Sequence, residues 1–291
     1  MPFGTISVTQ FNLQQTLTSG QTFQWGDDET HEFPTEDTET VYTTISEYDS
    51  PTDNPEVIRL SQPDSTTISW DATFQAESYI HSRFNLSDDI SQILADITTR
   101  DDTFKTHINT DSIRLVRDPL HPTILSYICS IQMRVPRIFE LTQKLRDTYG
   151  SEIKYDGTTY SVTPTPQQMK QSTESELKEL GFGYRSEYIA TTSHQLLNYY
   201  EKFIELPSLS TADAREQLQF FMGVGEKVAD CILLYGLGRK EVVPIDTWMK
   251  TAAEELYSCT ENQQEFFMDL WGEYGGYAQL YLFENIRLNG N

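Results

Sequence analysis

Residues 222–246 of the chain read MGVGEKVADCILLYGLGRKEVVPID. Gly223-Val224-Gly225 separates two helical patterns, and Lys227 follows at once. Asp246 comes nineteen positions after that lysine, behind Pro244 and Ile245. As chemistry this is a set of backbone amides for an anion, an amine beside it, and a carboxylate brought back towards it. Those are the parts needed to grip a DNA phosphate and open a sugar–base bond.

Local signals say how these parts are held. Ser210 and Thr211 are good N-cap candidates for a helix through Ala212, Leu218 and Phe221. Gly223 and Gly225 both tolerate positive φ, so the chain can turn sharply and present consecutive N–H groups. A second helix is predicted over residues 226–237, with Val228, Ala229, Ile232 and Leu233 as its apolar stripe. Free N–H groups at its start form a phosphate seat. Lys227 and Cys231, four residues apart, share a different face. Each part also has a plainer reading. A glycine pair before a helix is commonly an ordinary tight turn, and a lysine in a first turn is commonly solvated. Asp246 would cap a helix over Thr247–Tyr257 whatever else it does.

Through GVGEKVADC and VPID the chain resembles the helix-hairpin-helix DNA glycosylases, and among them the 8-oxoguanine DNA glycosylases of the eukaryotic type. The resemblance runs over nearly the whole chain. Gly20-Gln21-Thr22-Phe23-Gln24-Trp25 is similar to that family's GQxFxW element. Asp118-Pro119 and Ser126-Tyr127-Ile128-Cys129-Ser130 resemble its DPxxxxxSFICS helix, and Leu180-Gly181-Phe182-Gly183-Tyr184-Arg185 its LGLGYR segment. Leu270-Trp271-Gly272, Tyr277-Ala278-Gln279 and Leu282-Phe283 look like its LWGPYAGWAQxxLF block.

The resemblance implies an enzyme that flips an oxidised guanine out of duplex DNA into a pocket and needs neither metal nor organic cofactor. It makes Lys227 the nucleophile and Asp246 the carboxylate that stabilises the oxocarbenium-like state. A free lysine titrates near about 10.4, so Lys227 must be partly desolvated or otherwise activated. It gives base recognition to the Gly20 carbonyl, Gln279, Phe283 and Cys231. The Gly20 carbonyl would accept the N7 hydrogen that only the oxidised base carries. Gln279 and Phe283, four apart on one helix face, suit a shared pocket wall. DNA contacts fall to Gly223, Val224 and Gly225, to Tyr184 as a wedge, and to Arg185 at the opposite base. Where the family has an asparagine run this chain has Gln132-Met133-Arg134, with the following arginine kept as Arg137. Trp248 stands where the family has a histidine near the lesion's phosphate.

Two other readings share these residues. One is a monofunctional glycosylase for alkylated bases, which generally lacks a lysine at this position. The other is a non-catalytic helix-hairpin-helix DNA-binding module, which would need the hairpin but neither Lys227 nor Asp246.

Composition bounds the setting. The three cysteines, Cys129, Cys231 and Cys259, have neither disulfide nor zinc spacing and cannot supply the four thiolates of an iron–sulfur cluster. No run nears the length of a membrane span, and the N-terminus carries no signal pattern. A monomer in a reducing cytoplasm is expected. A net charge of −23 argues against a nucleic-acid partner at first sight. Residues 1–100, however, hold three basic side chains against seventeen acidic ones, and residues 101–291 hold eighteen against twenty-seven. The positive charge sits where the motif is. A Thr- and Asp-rich, Lys-poor chain suits the molar-salt cytoplasm of a halophilic archaeon, where the Debye length is about 3 Å.

The expected fold is α+β. Residues 1–116 form an antiparallel sheet domain with short helices, built from runs such as 41–45, 57–60 and 66–70, with 27–39 as a solvated hairpin loop. Residues 117–291 form a helical catalytic domain. From Glu77 onward the periodicity is helical, over 90–97, 119–130, 135–149, 174–180 and 184–200.

Overall fold

Burial alternates along β5 (Thr67–Ala72): Ile68, Trp70 and Ala72 are buried, while Thr67, Ser69 and Asp71 are less so. That period of two marks one face of a sheet. A computed structural model describes residues 1–50, 52–110 and 112–289, and the side chains of these as far as Arg287. In it β5 joins β1 (Phe3–Ser7), β2 (Gly26–Asp27), β3 (Thr40–Ile45) and β4 (Glu56–Asp64) in an antiparallel sheet of order β1-β5-β4-β3-β2. Its inner face, with Ile6, Ile58, Leu60, Ile68 and Trp70, closes over Leu13 and Leu17 and over Trp25, Ile80 and Phe84. Leu13 and Leu17 lie on α1 (Leu13–Thr18), a helix of six residues capped by Asn12 that the strand-like patterning had hidden. Residues 28–39 join β2 to β3, as the hairpin loop expected there.

Beyond β5 the chain is mostly helical: α2 (Glu77–Arg83), α3 (Ile90–Arg100), α4 (Asp102–His107), α5 (Leu120–Cys129), α6 (Val135–Tyr149), α7 (Pro166–Met169) and α8 (Glu174–Glu179). After them come α9 (Arg185–Asn198), α10 (Tyr200–Glu205), α11 (Thr211–Leu218), α12 (Glu226–Tyr235), α13 (Thr247–Tyr257), α14 (Gln263–Trp271) and α15 (Gly275–Asn289). The architecture is α+β, as expected. α3 and α4 pack on α14 and α15, so Ile90, Ile97 and Phe104 share one core with Phe267, Trp271 and Tyr277. α5 runs through the middle of that core and is buried from His121 to Cys129.

Two expectations need correction. The helical reading from Glu77 onward misses a hairpin of β6 (Glu152–Tyr155) and β7 (Thr158–Ser161). Asp156 and Gly157 turn it with φ of 49° and 84°, the positive values that an Asp-Gly hairpin turn requires. It is held to the sheet by Arg59, whose Nη2 lies 3.0 Å from Asp156 Oδ2, and by the buried tyrosines Tyr42, Tyr155 and Tyr160. The single helix expected over 184–200 is two, because Tyr199 leaves helical geometry at φ −122°, ψ 41°.

One buried ion pair knits the layers. Arg83 Nη2 and Asp118 Oδ1 are 2.8 Å apart. Asp118 Oδ2 accepts from Thr22 Oγ1 at 2.7 Å, and its amide donates to Tyr235 O at 2.7 Å. Asp118 thereby fixes the loop after α1 relative to the C-terminal end of α12.

Candidate active site

Ser210 caps α11 by accepting from Asp213 N at 3.1 Å. The helix stops at Leu218, before Phe221, and α9 catches the emerging chain. Thr192 Oγ1 donates to Met222 O at 2.7 Å, and Gln195 Oε1 accepts from Met222 N at 2.8 Å. Gly223 then turns with φ 83°, so close to Tyr188 that an added Cβ would sit 2.9 Å from its side chain. Gly225 differs from the expectation: it is extended, at φ −86° and ψ −177°, with open space around it. Only the first glycine needs positive φ. Gly225 is the N-cap of α12 and offers no side chain to that helix's first amides, which leaves donors for an anion.

α12 is buried on more than the predicted stripe, from Val228 to Tyr235. Asp230 pins it, with Arg215 Nε on α11 2.7 Å away and Gln264 on α14 donating to the other oxygen. Lys227, Cys231 and Tyr235, one turn apart in succession, line a cavity of about 40 Å³. The other walls are Ser19 and Gly20 after α1, Tyr127 of α5, Pro244 and Asp246 before α13, and Gln279 and Phe283 of α15. Space for a few waters admits a purine only if a wall moves.

Each wall is set by local chemistry. Gly20 has φ 86°, and a Cβ there would lie 3.2 Å from Val135 and 3.7 Å from the Phe283 ring. The Gln21 amide anchors the same loop, donating to Arg114 O at 2.9 Å and accepting from Val116 N at 2.8 Å. Tyr127 Oη donates to Gln21 O at 2.8 Å. The Tyr127 ring lies 5.5 Å from Lys227 Nζ and stacks at 5.7 Å on Tyr235. Tyr235 Oη in turn donates to Gln279 Oε1 at 3.2 Å. Asp246 caps α13 as expected, accepting from Met249 N at 2.8 Å. Burial pushes the Cys231 thiol up to about 11, with Lys227 beside it pulling part of the way back. Burial also raises Tyr127 and Tyr235 well above the ordinary phenol range. These three groups therefore stay neutral near neutrality.

A second concavity, about 600 Å³ and open, lies along the hairpin. Gly223, Val224 and Gly225 form one side, and Gln132, Tyr184, Tyr188 and Phe220 face them. Tyr184 is 47% exposed. Arg185, by contrast, is 5% exposed and turned inward. Its Nε donates to Ile131 O at 2.9 Å, and its guanidinium lies 4.4 Å from the Tyr184 ring centroid. Arg137 on α6 pairs with Glu140, and Trp248 is 42% exposed in the first turn of α13. Neither lines these two spaces. Sequence reasoning had given no role to Tyr127 or Tyr235. The spacing could have found Tyr235, eight residues after Lys227 and so two turns along the same face.

Comparison with known proteins identifies the family and the fold. Residues 125–272 match the family described as HhH-GPD superfamily base excision DNA repair protein, and residues 5–124 match the 8-oxoguanine DNA glycosylase N-terminal domain. An N-glycosylase/DNA lyase of Saccharomyces cerevisiae is 26% identical over 71% of this chain and 65% of its own length. A probable N-glycosylase/DNA lyase of Methanothermobacter thermautotrophicus is 30% identical over 60% of this chain and 63% of its own. The chain thus spans just under two thirds of these two relatives. A solved structure of the Clostridium acetobutylicum 8-oxoguanine glycosylase/lyase, in complex with double-stranded DNA containing cytosine opposite 8-oxoG, superposes with a TM-score of 0.84. It is 25% identical and covers 98% of this chain and 94% of that one.

Proposed function

The chain belongs to the HhH-GPD superfamily of base excision DNA repair proteins, and on that footing we propose that it is a bifunctional 8-oxoguanine DNA glycosylase and AP lyase. The observation that carries the reading is the convergence of an amine, a carboxylate and a set of polar and aromatic groups on one small cavity beside a helix N-terminus that no side chain caps. A binding module would have no use for that cavity.

In the proposed reaction the hairpin amides at Gly223, Val224 and Gly225 hold the lesion strand's phosphate. Tyr184 wedges into the stack, with Gln132 and Arg137 near the opposite base and Trp248 near the lesion's phosphate. The flipped base stacks on Phe283, gives its N7 hydrogen to the Gly20 carbonyl and pairs with Gln279, with Cys231 against it. The neutral Lys227 amine attacks C1′ as the C1′–N9 bond breaks, and the base leaves with the bonding pair and takes up a proton. Asp246 stabilises the cationic sugar. Ring opening gives a Schiff base, which acidifies the C2′ proton. Loss of that proton expels the 3′ phosphate by β-elimination. No metal or organic cofactor takes part.

Residues 1–116 supply Ser19 and Gly20 to this site, and residues 117–291 supply the rest, which is the division of labour we propose for the two parts. A monomer working in a salt-rich cytoplasm fits the charge of −23 and its concentration in the first hundred residues. Borohydride should link the protein covalently to a duplex containing 8-oxoguanine, and Lys227→Gln should abolish the link while leaving binding intact. Base release without any trapped species would point instead to the monofunctional reading.

A further inference from the structure

A glutamine amide can pair with the Watson–Crick edge of either kind of purine. With its N–H turned to position 6 and its oxygen to position 1, it meets a guanine-type edge, which carries a C6 carbonyl and an N1 hydrogen. Rotated by half a turn, it meets an adenine-type edge, which carries a 6-amino group and a bare N1. Nothing in Gln279 itself chooses between these.

Its neighbour does. Tyr235 Oη donates to Gln279 Oε1 at 3.2 Å, both groups being buried. The phenol has little freedom to follow a rotating amide. Its ring stacks on Tyr127 with an interplanar angle of 7°, and Tyr127 is itself tied to Gln21 O. The Tyr235 carbonyl is held by the Asp118 amide. Burial keeps the phenol protonated, so it remains a donor at any working pH. Rotation would turn the amide nitrogen towards the phenol and leave the phenolic hydrogen without its acceptor, a costly arrangement for a buried donor.

We infer that Tyr235 is a specificity-determining positioning residue, which locks the Gln279 amide in one of these two orientations and so, on the proposed reading, maintains the choice of 6-oxo over 6-amino oxidised purines. The inference rests on the proposed glycosylase reading. It concerns a residue that touches the reader of the base and not the reacting atoms.

The test uses the full chain carrying Lys227→Gln, so that binding is measured without chemistry. Fluorescence anisotropy compares duplexes holding one 8-oxoguanine, one 8-oxoadenine or no lesion. The Lys227→Gln protein should favour 8-oxoguanine over 8-oxoadenine, and adding Tyr235→Phe should shrink that preference by about tenfold, in line with one buried hydrogen bond to an unmet partner. Adding Tyr281→Phe removes another buried phenol, one that donates to Ile113 O at 2.7 Å, and should leave the preference as it was. An unchanged preference in Tyr235→Phe, or equal erosion by both changes, overturns this inference alone. A Lys227→Gln protein that binds 8-oxoguanine no better than undamaged duplex overturns the parent reading, and this one with it.

Discussion

At the scale of single residues the proposal makes Asp246 serve two ends, and they can be separated. Its Oδ1 caps α13 through Met249 N, and its carboxylate charge faces the cavity that holds Lys227. Asparagine caps a helix about as well as aspartate but carries no charge. Asp246→Asn should therefore slow base release by about 100-fold or more and lower the melting temperature by only about 1–2 °C. Single-turnover kinetics beside thermal unfolding will decide, and a large stability loss with near-normal turnover per folded molecule would assign Asp246 to structure alone. Lys227, Asp246, Gln279 and Phe283 stand out in the sequence because a motif carries each of them, and helical spacing adds to it for Gln279 and Phe283. Arg185 was not legible in the same way. Its side chain satisfies the carbonyl of Ile131 just past the end of α5, a long-range partner that no local pattern announces.

At the scale of elements the hairpin glycines are unequal. Gly223 is held at positive φ against Tyr188, whereas Gly225 is an extended N-cap in open space. Gly223→Ala should cost about 1–2 kcal/mol for the backbone alone, with the Tyr188 contact added. Gly225→Ser should do the opposite to stability, raising it by about 0.3 kcal/mol as the hydroxyl caps α12. The same hydroxyl would occupy the amide offered to phosphate, so DNA binding should weaken as the fold tightens. Urea unfolding and lesion-duplex titration on both variants check this, and a Gly225→Ser protein that binds DNA as well as the parent would remove the phosphate seat from the account. The elements that sequence reading missed were short or externally supported. α1 has six residues, too few for a periodic signal. β6 and β7 have four residues each and owe their burial to the sheet beneath them. The break between α9 and α10 has no glycine or proline to mark it.

At the scale of the whole molecule, charge distribution and fold point the same way. On the proposed reading, the acidic first hundred residues and the amides at the start of α12 both suit work at high salt. Raising KCl towards molar levels should increase the melting temperature by screening self-repulsion. Lesion binding should weaken only slightly over the same range, and a salt slope equivalent to about six or more phosphate neutralisations would show that lysines and arginines dominate the contact. The sequence told the sign and placement of this charge but not how the two cores meet, because the Arg83–Asp118–Thr22 link joins segments far apart in the chain. The proposed function comes down to one chemical claim, that the Lys227 amine is the group that replaces the base. The most direct measurement is peptide mapping by mass spectrometry of the species trapped by borohydride on 8-oxoguanine duplex. The account predicts a reduced sugar adduct on the peptide that contains Lys227, at that lysine. An adduct on any other amine, with Lys227 unmodified, would contradict it.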